Sequence, residues 1–211
     1  MFIDIHVHTW RIPGPPNLSG KGFYSTPEQL IQRYDKLGIE QGVLLPGVNP
    51  ECSYAPQSNQ DIMAVCQEYP GRFIPFCNVD PRAVSNSSDA PLDHLLGYYK
   101  DQGYKGIGEI CANLPFLDPK VQNLFKHVEK VEFPLTFHIA AQIGNIYGLY
   151  DDPGLPQLER SLQRFPKLKF FAHSQTFWAE MGRLRTPADR YGYPNYPIDE
   201  EGVVPTLFRR Y

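Results

Sequence analysis

His6 and His8, separated by Val7 at the end of the apolar run Met1-Phe2-Ile3-Asp4-Ile5, are the first residues whose type and spacing could do chemistry. In an extended strand successive side chains point to opposite faces, so Asp4, His6 and His8 share one. Two neutral imidazoles placed this way can hold one divalent ion. A His-x-His pair on its own is a weak signal, and its meaning depends on further donors at the same end of other elements. His138 closes Phe137-His138-Ile139, His173 closes Phe170-Phe171-Ala172-His173, and Glu109 closes Gly106-Ile107-Gly108-Glu109-Ile110. Taken singly, either histidine could be a satisfied core residue, and Glu109 a turn cap, a ligand or a general base. Six histidines are present, and four of them fall at predicted strand ends, which favours a shared metal. His94 and His127 lie on predicted helix faces and are expected in solvent. Asp4, one step deeper than His6, is expected to accept an imidazole N–H.

These donors converge only if the elements carrying them run parallel. Thr26-Pro27-Glu28-Gln29 offers an N-cap, a proline at the first helical position, a first-turn acid and a glutamine at N3. Leu30, Ile31, Tyr34 and Leu37 then recur at helical spacing as far as Gly38. Gly42-Val43-Leu44-Leu45-Pro46 reads as a strand buried on both faces. The alternation continues with a helix after Ser58, a strand over 72–79 whose Pro75 weakens the ladder, a helix through Leu92 and Leu96, and a strand over 104–110. Asp118-Pro119 caps a helix with Val121, Leu124, Phe125 and Val128 on its apolar face; a strand over 134–139, a helix over 155–164 and a strand over 168–173 follow.

Six βα units in succession predict a parallel sheet with right-handed crossovers, doubly wound or barrel. In a barrel every strand's C-terminal end opens onto one mouth, where His6, His8, Glu109, His138 and His173 would meet; an open sheet would spread them along an edge. The barrel is therefore the expected fold. Lys105 opens its strand at the far end and is a poor bridging ligand. Around the mouth, Trp10, Arg11, Asn78, Asp80, Gln142, Tyr147, Gln175 and Trp178 could meet a substrate or simply pack their loops. Arg11 would suit a carboxylate, and Trp10 or Trp178 a ring or a lid.

Composition narrows the classes. A chain of 211 residues with 42% hydrophobic content supports one sizeable core, so a single domain over 1–211 is expected. A net charge of -3 with scattered Lys and Arg leaves no footprint for nucleic acid. The apolar runs are too short to span a membrane, and a small-molecule substrate in the cytoplasm is the expectation. Cys52, Cys66, Cys77 and Cys111 are irregularly spaced, as reduced filler would be. The 21 prolines predict many rigid loops.

With these pieces assembled, the chain resembles the amidohydrolase superfamily of metal-dependent (β/α)8 TIM-barrel enzymes, in its amidohydrolase-related (amidohydrolase 2) branch of hydrolases and decarboxylases. The segments carrying the resemblance are Ile3-Asp4-Ile5-His6-Val7-His8, Gly106-Ile107-Gly108-Glu109-Ile110, Phe137-His138-Ile139 and Phe171-Ala172-His173-Ser174, in the family's order. It implies His6, His8 and His138 as metal ligands, and His173 as a second-metal ligand or the residue that polarises water or substrate. The Gly-Glu-Ile segment is also similar to TatD-type deoxyribonucleases, whose acid at that place binds metal, which supports Glu109. The implied cofactor is zinc, or manganese, and the implied reaction is attack of activated water on an amide, ester or lactone. Decarboxylation of an aromatic acid is the alternative, and an inactive metal-binding or oligomerising remnant a third. The family places strands seven and eight, and a proton-accepting aspartate, after the sixth unit. Val203 to Tyr211 looks like the helix before strand seven, and Asp189 and Asp199 lie in a Tyr- and Pro-rich loop, so the expectation is an incomplete barrel without that aspartate. Its open edges would invite a homo-oligomer.

Overall fold

The structure, a computed structural model, describes residues 2–16, 22–52 and 55–211. Met1 and the Cys52 side chain, both part of the sequence reading, lie outside the described residues.

Local chemistry sets the element boundaries. Strand β1 (Phe2–Val7) leads to helix α1 (Pro27–Leu37), where Thr26 and Gln29 form the reciprocal capping box and Gly38 ends the helix at φ 71. Strand β2 (Ile39–Leu44) is followed by α2 (Asn59–Glu68), capped in the same reciprocal way by Ser58 and Asp61. Strand β3 is only Phe73–Pro75, shorter than the expected 72–79, because Pro75 has no N–H to continue the ladder. Helix α3 (Leu92–Asp101), β4 (Ile107–Ile110), α4 (Pro119–Lys130) and β5 (Leu135–Ala140) follow. A two-residue strand, β6 (Leu149–Tyr150), is absent from the sequence reading; too short for any periodicity, it pairs with Ile139–Ala140 and bridges to Pro115. Helix α5 (Pro156–Arg164), β7 (Phe170–His173), α6 (Gln175–Ala179) and α7 (Val203–Arg210) complete the described strands and α-helices. The strand expected over 168–173 is thus β7.

All the strand pairings are parallel: β1 with β2, β2 with β3, β4 with β5, and β5 with both β6 and β7. A bridge between Cys77 and Ile107 joins β3 to β4, reinforced by the Cys77 N–H donating to the Gly106 carbonyl at 3.0 Å and the Gly108 N–H to the Cys77 carbonyl at 2.8 Å. The main strands therefore lie in chain order. A doubly wound sheet would reverse that order midway, whereas a barrel keeps it.

Packing shows the sheet to be curled. Phe171 of β7 packs against the cluster of Val43 and Leu45 from the β2 region and Phe76 after β3, so distant strands meet on the concave side. A second cluster (Leu30, Tyr34, Leu44, Ile62) seals α1 and α2 onto the outer face. The largest cluster carries α3, α4, α5 and α7 on the second half of the sheet, including Phe116, Phe125, Phe137 and Leu207. Among the described residues, no helix is long and apolar enough to cross a membrane.

Candidate metal centre

Curling brings four of the five predicted donors around the fifth. Glu109, at the end of β4 and 6% exposed, puts Oε2 3.3 Å from His6 Nε2 and 3.3 Å from His8 Nε2. Its Oε1 accepts from His138 Nδ1 at 2.7 Å and lies 3.9 Å from His173 Nε2. The rings of His6 and His173, from the first and last strands, have centroids 3.8 Å apart.

Hydrogen bonds assign the ring protons. His8 Nδ1 lies 2.8 Å from the Leu45 carbonyl, which can only accept, so Nδ1 carries the proton and Nε2 keeps its lone pair towards the cluster. His138 Nδ1 donates to a carboxylate and carries its proton there too. His6 Nε2 and His8 Nε2 face each other at 3.0 Å, a spacing that calls for a shared cation, proton or metal. Burial works against the charge on Glu109, but the hydrogen bond from His138 and the close His6 and His8 imidazoles outweigh it and hold the carboxyl well below the usual range. Burial, and then His6, push the His173 imidazole down to about 4, leaving it neutral near pH 7 with a lone pair to give.

The donors fit a divalent ion. His6 Nε2, His8 Nε2 and Glu109 Oε2 form a triangle of 3.0, 3.3 and 3.3 Å. Donors about 2.0–2.1 Å from a tetrahedral ion are separated by about 3.3–3.4 Å. Ligand atoms of His6, Glu109 and His173 also lie within 4.8 Å of one another. His138 stands as the group that orients the carboxylate, the role outer partners play in metal sites.

Backbone geometry delivers Glu109 to this point. Gly108 has φ +137, and a Cβ there would sit 2.4 Å from the Thr136 carbonyl oxygen, so only glycine lets β4 approach β5 this closely. Asn78, after β3, is buried and donates from Nδ2 to the Glu109 carbonyl at 2.7 Å. Asn49 Oδ1 accepts from the Cys111 N–H at 3.1 Å.

Several expectations need correction. Asp4 does not touch an imidazole nitrogen: Oδ1 accepts the His6 backbone N–H at 3.0 Å and Oδ2 the Tyr34 hydroxyl at 2.9 Å. The β1–β2 register shifts between Asp4 and Val7, which breaks the alternation that placed Asp4 beneath His6, and His6 Nδ1 is buried with no hydrogen-bond partner. His127 is 7% exposed, not solvated, because α3 packs over α4 and sets Asp93 3.6 Å from its Nδ1; His94 is exposed as expected. Asn78 is structural scaffolding under the mouth, and Asp80 is engaged by Arg82 and Asn49.

The rim residues have partners of their own. Arg11 pairs with Glu68 of α2 and is half exposed. Trp10 is buried, stacked on Tyr24 at 3.5 Å with its indole N–H on the Ala55 carbonyl, and its ring lies 6.1 Å from His8. Gln142 is held by the Tyr191 hydroxyl at 2.6 Å and by Gly144. Trp178 packs on the main core beside Phe177. Tyr147 lies over His138 with ring centroids 4.4 Å apart, against one side of the cluster. Asp189 caps a short turn by accepting from Arg185 and Thr186 N–H groups, and Asp199 accepts from Glu201 N–H, so both are used in loop structure.

No protein-family model matches the chain, and no curated protein matches it. Solved structures do. An uncharacterized TIM-barrel protein from Bordetella bronchiseptica aligns with 80% of this chain at 18% identity and TM-score 0.53, covering 65% of its own length. The chain has a TIM-barrel fold. A proposed amidohydrolase from Staphylococcus aureus aligns with 81% of the barrel chain at 18% identity and TM-score 0.51, covering 66% of its own length. A 2,6-dihydroxybenzoate decarboxylase in complex with 2,6-dihydroxybenzoate aligns with 81% at 15% identity and TM-score 0.50, again over 66% of its own length. The barrel here thus spans about two thirds of the length of these neighbours, and is incomplete relative to them. The likeness to these neighbours is one of fold, the barrel that the alternating strands and helices predict.

Proposed function

We propose that the chain carries a divalent-metal hydrolase centre of the amidohydrolase type, with His6, His8 and Glu109 holding zinc, or manganese as the second choice. The observation that carries this reading is the triangle of donors at 3.0, 3.3 and 3.3 Å, matched to a tetrahedral ion. A bound ion would polarise a substrate carbonyl and bring the pKa of water down towards about 7. The chain's own residues do the rest. Leu45 and His138 fix His8 and Glu109 in single orientations, so the donors need no rearrangement. His173, neutral and beside His6, is the group with a lone pair free to take a proton from an attacking water and return it to a leaving group.

Decarboxylation is the second reading. The half-exposed Tyr147 ring beside His138 offers a flat face for an aromatic acid, in line with the substrate of the decarboxylase neighbour. Arg11 argues against it, since its ion pair with Glu68 already occupies the guanidinium expected to hold a carboxylate.

Metal-stripped protein titrated with Zn2+ and Mn2+ should bind one equivalent, and His8→Ala and Glu109→Gln should abolish the high-affinity site. Markedly substoichiometric uptake by the unsubstituted chain would sink the reading. Loaded protein assayed on esters, lactones and amides, against aromatic acids monitored for carbon dioxide, separates hydrolase from decarboxylase. Full loading with neither activity would leave the inactive remnant.

A further inference from the structure

We infer that Asn78 is a positioning residue that holds Glu109 in place through its backbone, an inference that rests on Glu109 being the central donor of the proposed site. Asn78 is 3% exposed and lies just beyond β3, between the C-terminal ends of β2 and β4. Its Nδ2 donates to the Glu109 carbonyl at 2.7 Å and to the Pro46 carbonyl at 3.3 Å, tying three neighbouring strand ends with one amide. Asn78 is itself clamped from α2. Its N–H donates to Asn59 Oδ1 at 2.7 Å, and its carbonyl accepts from Asn59 Nδ2 at 3.0 Å.

The chemistry demands an amide. Both acceptors are carbonyls, so the side chain must present two N–H groups without charge. Before Glu109, the Gly108 N–H donates to the Cys77 carbonyl at 2.8 Å, and beyond Ile110 the Cys111 N–H is taken by Asn49, so the segment carrying Glu109 is fixed on both flanks while its side chain faces the imidazoles. A carboxylate at position 78 would set an acceptor against the Glu109 carbonyl. The resulting repulsion turns the peptide after Glu109 and moves Oε1 off His138, which sits only 2.7 Å away.

The test is Asn78→Asp, isosteric but without donors, with Asn78→Ser as a milder variant whose single hydroxyl keeps one short donor. Folding of each is checked by circular dichroism. In metal-free protein with labelled histidine, proton NMR should resolve two downfield imidazole N–H signals, from His138 on Glu109 and from His8 on Leu45. The expected result is loss or a large upfield shift of the His138 signal with the His8 signal kept, complete in Asn78→Asp and partial in Asn78→Ser. Zn2+ affinity, measured by competition with a chromophoric chelator, should fall about 10- to 100-fold in parallel, the range for losing a partner that orients a ligand. If Asn78→Asp does not fold, Asn78→Ser decides. An unchanged His138 signal in either folded variant overturns the inference. Absence of Zn2+ binding by the unsubstituted chain overturns the metal reading instead, and the NMR comparison still judges Asn78.

Discussion

At the residue scale, the cluster is one carboxylate among four imidazoles, and acid is its weakness. The folded state keeps His173 neutral down to about pH 4, whereas an unfolded histidine takes up its proton near about 6.5. The stability this contributes is therefore complete above that higher value and is lost as pH falls between the two. Glu109 acts in the same direction, since its folded carboxyl stays ionised well below the range of an unfolded glutamate. Metal-free protein should lose stability on acidification from pH 6.5 to 4, with His173 responsible for about 1–2 kcal/mol once its partial exposure is discounted. Urea titrations at several pH values check this: His173→Asn should flatten the slope, and an unchanged slope would assign the acid sensitivity elsewhere. The donors themselves could be read from strand ends. Asp4 could not, because the register shift that turns it to the backbone is a property of the β1–β2 pairing, not of the β1 sequence.

Elements were readable where their boundaries are written in adjacent residues, and obscure where a distant partner decides. The caps at Thr26 and Ser58 are local, and α1 and α2 start where those residues place them. The burial of His127 depends on α3 lying over α4, which no helical periodicity of α4 alone contains. The segment after α6 is the clearest case of distant control. Arg190, 2% exposed, pairs through Nε with Glu180 at 3.1 Å and donates to the Asp151 carbonyl at 3.0 Å, fastening the irregular chain after α6 to the turn before α5. Asp151, whose carboxyl burial pushes up to about 6, caps that turn by accepting from the Gln157 and Leu158 N–H groups. Removing one partner leaves the other charge buried and uncompensated, so Glu180→Ala should cost about 3–5 kcal/mol. Chemical denaturation measures it, and a loss under about 1 kcal/mol would mean that solvent reaches the guanidinium.

For the whole molecule the unresolved tension is the sheet's two edges. A closed barrel has none, because its first and last strands complete each other's ladder. Here, among the described residues, β1 pairs with β2 alone and β7 with β5 alone, and the His6 and His173 rings meet between the two edges. Each edge is also flanked by apolar side chains. On β1, Phe2, Ile3 and Ile5 are 70, 42 and 52% exposed. Beside β7, a groove of about 400 Å³ runs between Leu162, Phe170, Leu207 and the largely exposed Phe208. Unpaired backbone groups next to apolar surface template pairing with another chain. The chain should therefore self-associate as its concentration rises from micromolar towards millimolar, read by sedimentation velocity. A lysine placed on an edge strand is a common natural device against such pairing. Ile5→Lys leaves the buried clusters untouched, and should move the population towards monomer while the circular dichroism spectrum stays the same. Association that Ile5→Lys does not weaken would put the contact away from β1 and leave the β7 groove as the surface to substitute next, whereas a chain that stays monomeric throughout would mean that neither edge is available to another chain.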